Sequence, residues 1–342
     1  MKNKSTLYGF FKGLSNDENQ IEGIDLKTPE NELILSQGAA SENHIVLLYS
    51  DGSSISFGAN NKGQLGIGSS SDVNEFNSVS SNEKFTSVAC GEDFTLWISE
   101  NGCLYVSGIN NFNVPTTLNG IHATQCSAYK QAASVITEKK TVLFWSDFHD
   151  FNNFKEYSLI NPAVAISCGI NFVSVLLENQ TLFQIRSDGS IEPVIVKTSP
   201  ITTNDRFIQM SSCESYTVAI DFNSNLWLFG QVGKLKSYPN LPPICTNVIQ
   251  VFTLPNSIVA ILSNRRAMVL GENQDGQLGT GNKQATYEFQ LVQLKYPVLS
   301  VIGNERMIIY IPRPLTKSFV KCDQSEFIPG YQKYLNNPEK LI

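Results

Sequence analysis

A short segment recurs through the whole chain, and this periodicity limits the fold more than any other property of the sequence. Residues 40–48, 90–98, 168–176 and 212–220 align as four clear copies, each with small residues, a turn and an apolar run. Weaker copies start near Cys126, Thr253 and Ile302. With the second residue of each copy as anchor, the copies fall at 41, 91, 127, 169, 213, 254 and 303, so the steps run from 36 to 50 residues. Seventeen residues after four of these anchors stand Gly58, Gly108, Gly230 and Gly271. Between anchor and glycine lie two apolar segments, such as 94–98 and 103–107, around Glu100-Asn101-Gly102. Asn-Gly between β-type segments signals a tight hairpin, because both central residues need positive φ. Asp51-Gly52 takes the same place in the first copy.

Short segments rich in Val, Ile, Phe and Tyr favour strands over the helices of a solenoid with a similar period. Seven such units predict an all-β fold, a seven-bladed β-propeller, in which each blade is a small sheet that cannot bury its faces alone. A ring of blades also accommodates 342 residues, more than one layered core usually supports. The seventh copy has an inner strand at 307–311 but no partner and no glycine after it. Residues 5–10 resemble the outer half of a repeat such as 225–230. The N- and C-terminal strands are therefore expected to share one blade, closing the ring and removing free sheet edges. Residues 1–312 form the propeller in this reading, and residues 313–342 are a C-terminal tail outside the repeats.

Composition narrows the function. Charged residues are 16% of the chain, against roughly 25% in soluble domains. The 25 Lys+Arg and 31 Asp+Glu leave a net charge of −6. An acidic excess without a basic run speaks against nucleic acid, whose binding rests on Lys and Arg neutralising phosphates. The doublets Lys139-Lys140 and Arg265-Arg266 fit solvated hairpin turns. The first residues lack the sustained apolar stretch of a signal peptide, and no window reaches the ~20 apolar residues of a membrane span. Seven cysteines without C-x-x-C indicate a reduced thiol set rather than a disulfide framework. A cytoplasmic protein is expected, taken as a monomer with no membrane or nucleic-acid partner.

Side chains that could carry chemistry are scarce. Cys90, Cys126 and Cys168 share one repeat position, with Cys213 one place later. Small apolar residues suit packing where inner strands converge, and no flanking His or short ligand spacing supports a metal. The histidines are His44, His122 and His149. No G-x-S-x-G, H-E-x-x-H or paired-carboxylate motif is present. The reading assigns no catalytic residue, no metal and no cofactor.

The stretch G-x-N-x-x-G-Q-L-G-x-G occurs twice, at 58–68 and at 271–281. It resembles the signature of the regulator-of-chromosome-condensation repeat, and the anchor segment is similar to that family's A-x-G-x-x-H-T-x-x-L. His44 holds the family's His position, and Phe94, Lys130, Phe172, Tyr216, Ser257 and Arg306 hold its equivalents. The resemblance runs from residue 5 to about 312 and implies a seven-bladed propeller with shared terminal closure. The motif glycines are expected to supply positive φ, with Asn60 and Asn273 tolerating the same conformation. Founding members of that family are nucleotide-exchange factors for the small GTPase Ran, which they engage through loops on one face and a projecting wedge. The resemblance therefore implies a protein partner, a Ran-like small GTPase. It makes Glu92 and Asp93 candidate partner-binding residues, and it places Asn110, Asn111, Phe112 and Asn113 where the family's wedge lies. Departures are the missing charged wedge residues, Tyr216 in place of a later-repeat His, and the absent basic tail. The expected function is a cytoplasmic protein-interaction propeller with guanine-nucleotide exchange activity. The alternative is a non-catalytic scaffold or ubiquitin-pathway adaptor, favoured by the eroded third, fourth and sixth repeats.

Overall fold

The structure is a computed structural model that describes residues 6–11, 22–25, 35–194, 206–236, 243–274, 276–294, 297–304 and 307–312. The tail at 313–342 lies outside the described residues. Among the described residues the regular structure is β, apart from two single-turn 3-10 helices, Ile109–Asn111 and Phe148–Asp150.

One antiparallel arrangement repeats. The first sheet runs Leu35–Ala40, His44–Tyr49, Ser54–Gly58, Val73–Ser78, in that spatial order. Ala163–Cys168 to Ile191–Pro193 and Val248–Leu254 to Thr286–Leu291 repeat it with four strands, and Phe207–Cys213 to Leu226–Phe229 with three. The second and third units are fused. Their link is the long strand Thr116–Tyr129, which pairs with Cys103–Ser107 through its start and with Ala132–Thr137 through its end. The repeat step is shortest here, 36 residues from 91 to 127, so no loop separates the two units. The last sheet contains both chain ends. Val298–Asn304 and Met307–Pro312 pair, Thr6–Phe11 adds beside Met307–Pro312, and Glu22–Asp25 adds outside it.

Each sheet layer has a physical reason in the sequence. Second strands such as His44–Tyr49, Phe172–Leu177 and Tyr216–Asp221 are buried at every residue, because a neighbouring sheet covers each face. Strands covered on both faces read as continuous apolar runs, and these runs are the recurring segments of the sequence. Consecutive sheets enclose apolar clusters, such as Val46 and Leu48 with Phe85, Val88 and Trp97, or Ile45 and Leu47 with Ile302 and Ile309. Each fully buried side chain of this size contributes about 1.5–3 kcal/mol. Outer strands are the more exposed ones: Ile191–Pro193 is exposed throughout, and Val73–Ser78 has no buried residue.

One expectation is corrected here. The segment at 307–311, read as an inner strand, is second from the centre. The innermost strand of each unit is the preceding one, which sequence patterning did not resolve. Leu35–Ala40 packs on Phe85–Cys90, and the contacts continue through Thr116–Tyr129, Ala163–Cys168, Phe207–Cys213, Val248–Leu254 and Val298–Asn304 back to Leu35–Ala40. Side chains couple these strands from sheet to sheet. The Gln37, Gln125 and Gln209 carboxamide oxygens accept from the amides of Val88, Ile166 and Val251. Ser127, Ser167 and Ser211 hydroxyls accept in the same way from Cys168, Ser212 and Thr253.

Candidate functional site

Strand direction gathers the candidate residues at one end. Innermost strands all run toward it, so the turns into the second strands lie there, together with the loops that leave the third strands. The four glycines at constant offset fix how these two sets meet. Gly58, Gly108, Gly230 and Gly271 have φ of +115°, +105°, +110° and +133°. A Cβ on any of them would run into the turn carbonyl of Asn43, Asp93, Ser215 or Asn256 respectively. Only glycine permits both that φ and that approach.

Glu92 and Asp93 lie in such a turn. The Glu92 amide donates to the Lys130 carbonyl of the next unit at 2.8 Å, leaving its exposed side chain to solvent. Asp93 is partly covered, and both its carboxylate oxygens meet His149 Nε2, at 3.0 and 3.1 Å. His149 Nδ1 meets Asp147 Oδ1 at 2.8 Å. Asp147 also caps the helix Phe148–Asp150 by accepting from the His149 amide. Only the protonated ring can donate to a carboxylate at each nitrogen, so the arrangement favours the imidazolium. Burial opposes this charge, but the hydrogen bonds and negative charges of Asp93 and Asp147 prevail and raise the His149 pKa. The same contacts lower the Asp147 carboxyl, the His149 side-chain bond most of all.

Toward the centre of this end, Lys130 Nζ stands 3.7 Å from Glu42 and 3.4 Å from Glu214. The Tyr129 hydroxyl donates to Glu214 Oε1 at 2.8 Å. Lys130 and Glu214 occupy tight two-residue turns with φ of +50°. Among the described residues the face is thus a set of short turns displaying carboxylates around the Lys130 ammonium.

Asn110, Asn111, Phe112 and Asn113 lie on the same end, close to Asp93, but they form no projection. Asn110 and Asn111 take φ of +50° and +62° in a single 3-10 turn. The Gly108 amide donates to the Phe112 carbonyl at 2.7 Å, while the Phe112 ring packs on the apolar cluster beneath. The Asn113 carbonyl accepts from the Gly68 amide at 2.8 Å. Asn110 and Asn111 are therefore the exposed members of the group.

The motif loops are braces for this face. Asn60 and Asn273 were expected to tolerate positive φ, but neither adopts it. Both are fully buried and work through their side chains. Asn60 Oδ1 accepts from the Leu65 amide, and its Nδ2 donates to the Ser69 and Ser71 carbonyls. Asn273 repeats this with Leu278, Asn282 and Gln284. His44 is buried, and burial pushes its pKa down to about 3. Neutral, it accepts from Ser41 Oγ at Nδ1 and donates from Nε2 to Thr95 Oγ1, which donates to the Gln64 carbonyl. Tyr216, in the equivalent place, puts its hydroxyl 2.6 Å from the Leu254 carbonyl and 2.7 Å from that of Ser257 in the next unit. The His44 and Tyr216 braces each join two units, whereas those of Asn60 and Asn273 hold their own loops together.

The cysteines Cys90, Cys126, Cys168 and Cys213 are unpaired and buried near the ends of the innermost strands. Burial raises their thiols, to about 12 for Cys126, Cys168 and Cys213, so they stay protonated. Among the described residues no group of three His, Cys, Asp or Glu is placed to hold a metal ion. Sequence reasoning missed His149 with Asp147, and Lys130 with Glu214 and Tyr129. Both constellations join residues of different repeats, and no local pattern announces them.

Antiparallel sheets packed face to face about a common centre, with their turns gathered at one end, define a β-propeller. A family model for the regulator of chromosome condensation (RCC1) repeat matches residues 51–98. The human X-linked retinitis pigmentosa GTPase regulator is 32% identical over 108 residues, which cover 27% of this chain and 11% of that protein's length. Among solved structures, Prp20p from Saccharomyces cerevisiae, studied for its binding to Gsp1p and histones, superposes with a TM-score of 0.73. That alignment covers 92% of both chains at 13% identity and shows a shared fold. Yeast RCC1 (Prp20) bound to Kap60 gives 0.71 at 13% identity, over 93% of this chain and 91% of the other. Residues 51–98 thus match one RCC1 repeat, and the chain shares the propeller fold of Prp20p.

Proposed function

We propose that this chain is a protein-interaction propeller whose turn face receives a Ran-like small GTPase and promotes release of its guanine nucleotide. The observation that carries this reading is the turn around Glu92 and Asp93. Its carboxylates are held by backbone coupling to the next unit and by His149, and are presented beside the exposed Asn110 and Asn111. The similarity to a protein described as a GTPase regulator, and the fold shared with Prp20p, support the class of partner. The same reading takes the units as seven blades, with the sheet shared by the chain ends as the closing blade. Its support is the succession of innermost strands that returns from Val298–Asn304 to Leu35–Ala40. It takes the protein as a cytoplasmic monomer without nucleic-acid or membrane partners. The net charge of −6 speaks against a nucleic-acid partner, and no helix among the described residues is long and apolar enough to cross a membrane.

Fluorescent-GDP release from Ran tests the exchange reading. Acceleration at micromolar protein, lost in Glu92→Gln/Asp93→Asn, is expected; no acceleration by the unaltered chain removes it. A non-catalytic scaffold or ubiquitin-pathway adaptor is the second reading. The tied-back loop at Asn110, Asn111, Phe112 and Asn113 favours it, since a wedge that displaces bound groups has to project. Co-purification of ligase subunits without any nucleotide-sensitive GTPase would select that reading.

A further inference from the structure

The turn that holds Asp93 does not need its charge. Equivalent places before the second strands of other units carry Asn43, Ser215 and Asn256, neutral residues whose carbonyls meet the offset glycines in the same way. What marks Asp93 is His149, supplied by the next unit, whose Nε2 reaches both carboxylate oxygens. The backbone beneath this pair is fixed from both sides. Phe94 follows Asp93 and Phe148 precedes His149; both are fully buried, with ring centroids 4.7 Å apart. The Phe148 amide donates to the Gln131 carbonyl at 2.8 Å. Asp147 secures the far side of the imidazole at Nδ1. The freedom left in the contact is that of the Asp93 side chain, and the imidazole removes it. The contact stays open to solvent all the same, with the Asp93 and His149 side chains 26% and 40% exposed.

The charges around the ring come from three elements. Glu92 and Asp93 belong to the turn of the second unit, and Asp147 and Asp150 flank the ring on its own helix. Lys130 comes from the turn of the third unit, whose Lys130 and Gln131 carbonyls accept from Glu92 and Phe148, and its ammonium is shared with Glu42 and Glu214. Carboxylates outnumber the ammonium, which favours a second positive charge among them. A neutral imidazole carries one N–H instead of two. Deprotonation therefore deprives Asp93 or Asp147 of its donor and leaves two carboxylates facing an uncharged ring. Resting on the reading of the turn face as the GTPase-binding surface, we propose that His149 is a positioning residue for that contact. Its doubly protonated ring holds Asp93 in the orientation the partner meets, and loss of a ring proton releases it, so affinity for the GTPase falls as pH rises. A partner that meets a fixed side chain is spared the cost of immobilising it, which amounts to about two- to tenfold in affinity.

Dissociation constants for Ran, measured on either side of the histidine titration, test this, with His149→Gln as the reference that carries any titration of Ran itself. Below the ordinary histidine value the unaltered chain should bind about two- to tenfold tighter than His149→Gln. The two should converge as the ring loses its proton. Asp147→Asn keeps the Asp93 contact but removes a carboxylate that sustains the ring's charge. Its loss of affinity should therefore come at a lower pH than in the unaltered chain, a displacement that a purely structural role would not produce. A constant ratio between the unaltered chain and His149→Gln at every pH, or an affinity that rises with pH, overturns the proposal and leaves the partner reading standing. Failure of the unaltered chain to bind Ran at any pH overturns the partner reading and this inference with it.

Discussion

Gly108 shows how much a single residue decides. Its φ of +105° and its approach to the Asp93 carbonyl join a third strand to the turn that carries two candidate residues. Gly108→Ala should lower the unfolding free energy by about 1–3 kcal/mol, the usual range for backbone strain of this kind. An unchanged urea midpoint would contradict that role. Asn60→Ala leaves the Leu65 amide without its acceptor and the Ser69 and Ser71 carbonyls without their donor. Denaturation should register a loss of about 1–3 kcal/mol for the unsatisfied buried groups. His149 is the residue whose contribution depends on pH. Its folded-state pKa is raised above the ordinary histidine value of 6.5, so the stabilisation is complete below that value and fades as pH climbs through the raised one. The stability gap between the unaltered chain and His149→Gln should therefore shrink as pH rises above the ordinary histidine value; a widening gap would refute the imidazolium assignment. The offset glycines were legible because a φ above +100° beside a close carbonyl leaves one amino acid as the choice. His149 was not, since its partner Asp93 lies 56 positions away in sequence.

Among the strands, legibility followed burial. Second strands, covered on both faces, show as unbroken apolar runs, and third strands follow at a fixed turn. The innermost strands escaped notice because a bulge near the start of their pairing with the second strand breaks the period of two, and because Gln and Ser inside them read as loop. Those polar residues are the inter-sheet couplings. Gln209→Leu removes the acceptor of the Val251 amide and should cost about 1–3 kcal/mol. Gln250 is a natural control, since its buried Oε1 has no hydrogen-bond partner. Gln250→Leu should cost distinctly less in the same denaturation assay, and equal losses would mean that the couplings do not stabilise the sheets.

For the whole molecule, the likeness of the chain start to half a repeat pointed to the pairing of Thr6–Phe11 with Met307–Pro312. Deleting residues 1–13 removes that strand and bares the edge of its partner. The melting temperature should fall by more than about 5 °C, and an unchanged melt would sink closure of the ring. The choice of working face was not legible in sequence. Repeat spacing assigns turns to one end and hairpins to the other, but the carboxylates around Lys130 come from residues far apart in the chain. Equilibrium binding of a Ran-like GTPase to the unaltered chain, to Glu92→Lys/Asp93→Lys and to Ile208→Asp, an exposed site at the opposite end, tests the account most directly. Binding lost in the turn-face variant and kept in the variant of the opposite end is the predicted result. Binding kept in Glu92→Lys/Asp93→Lys would contradict it.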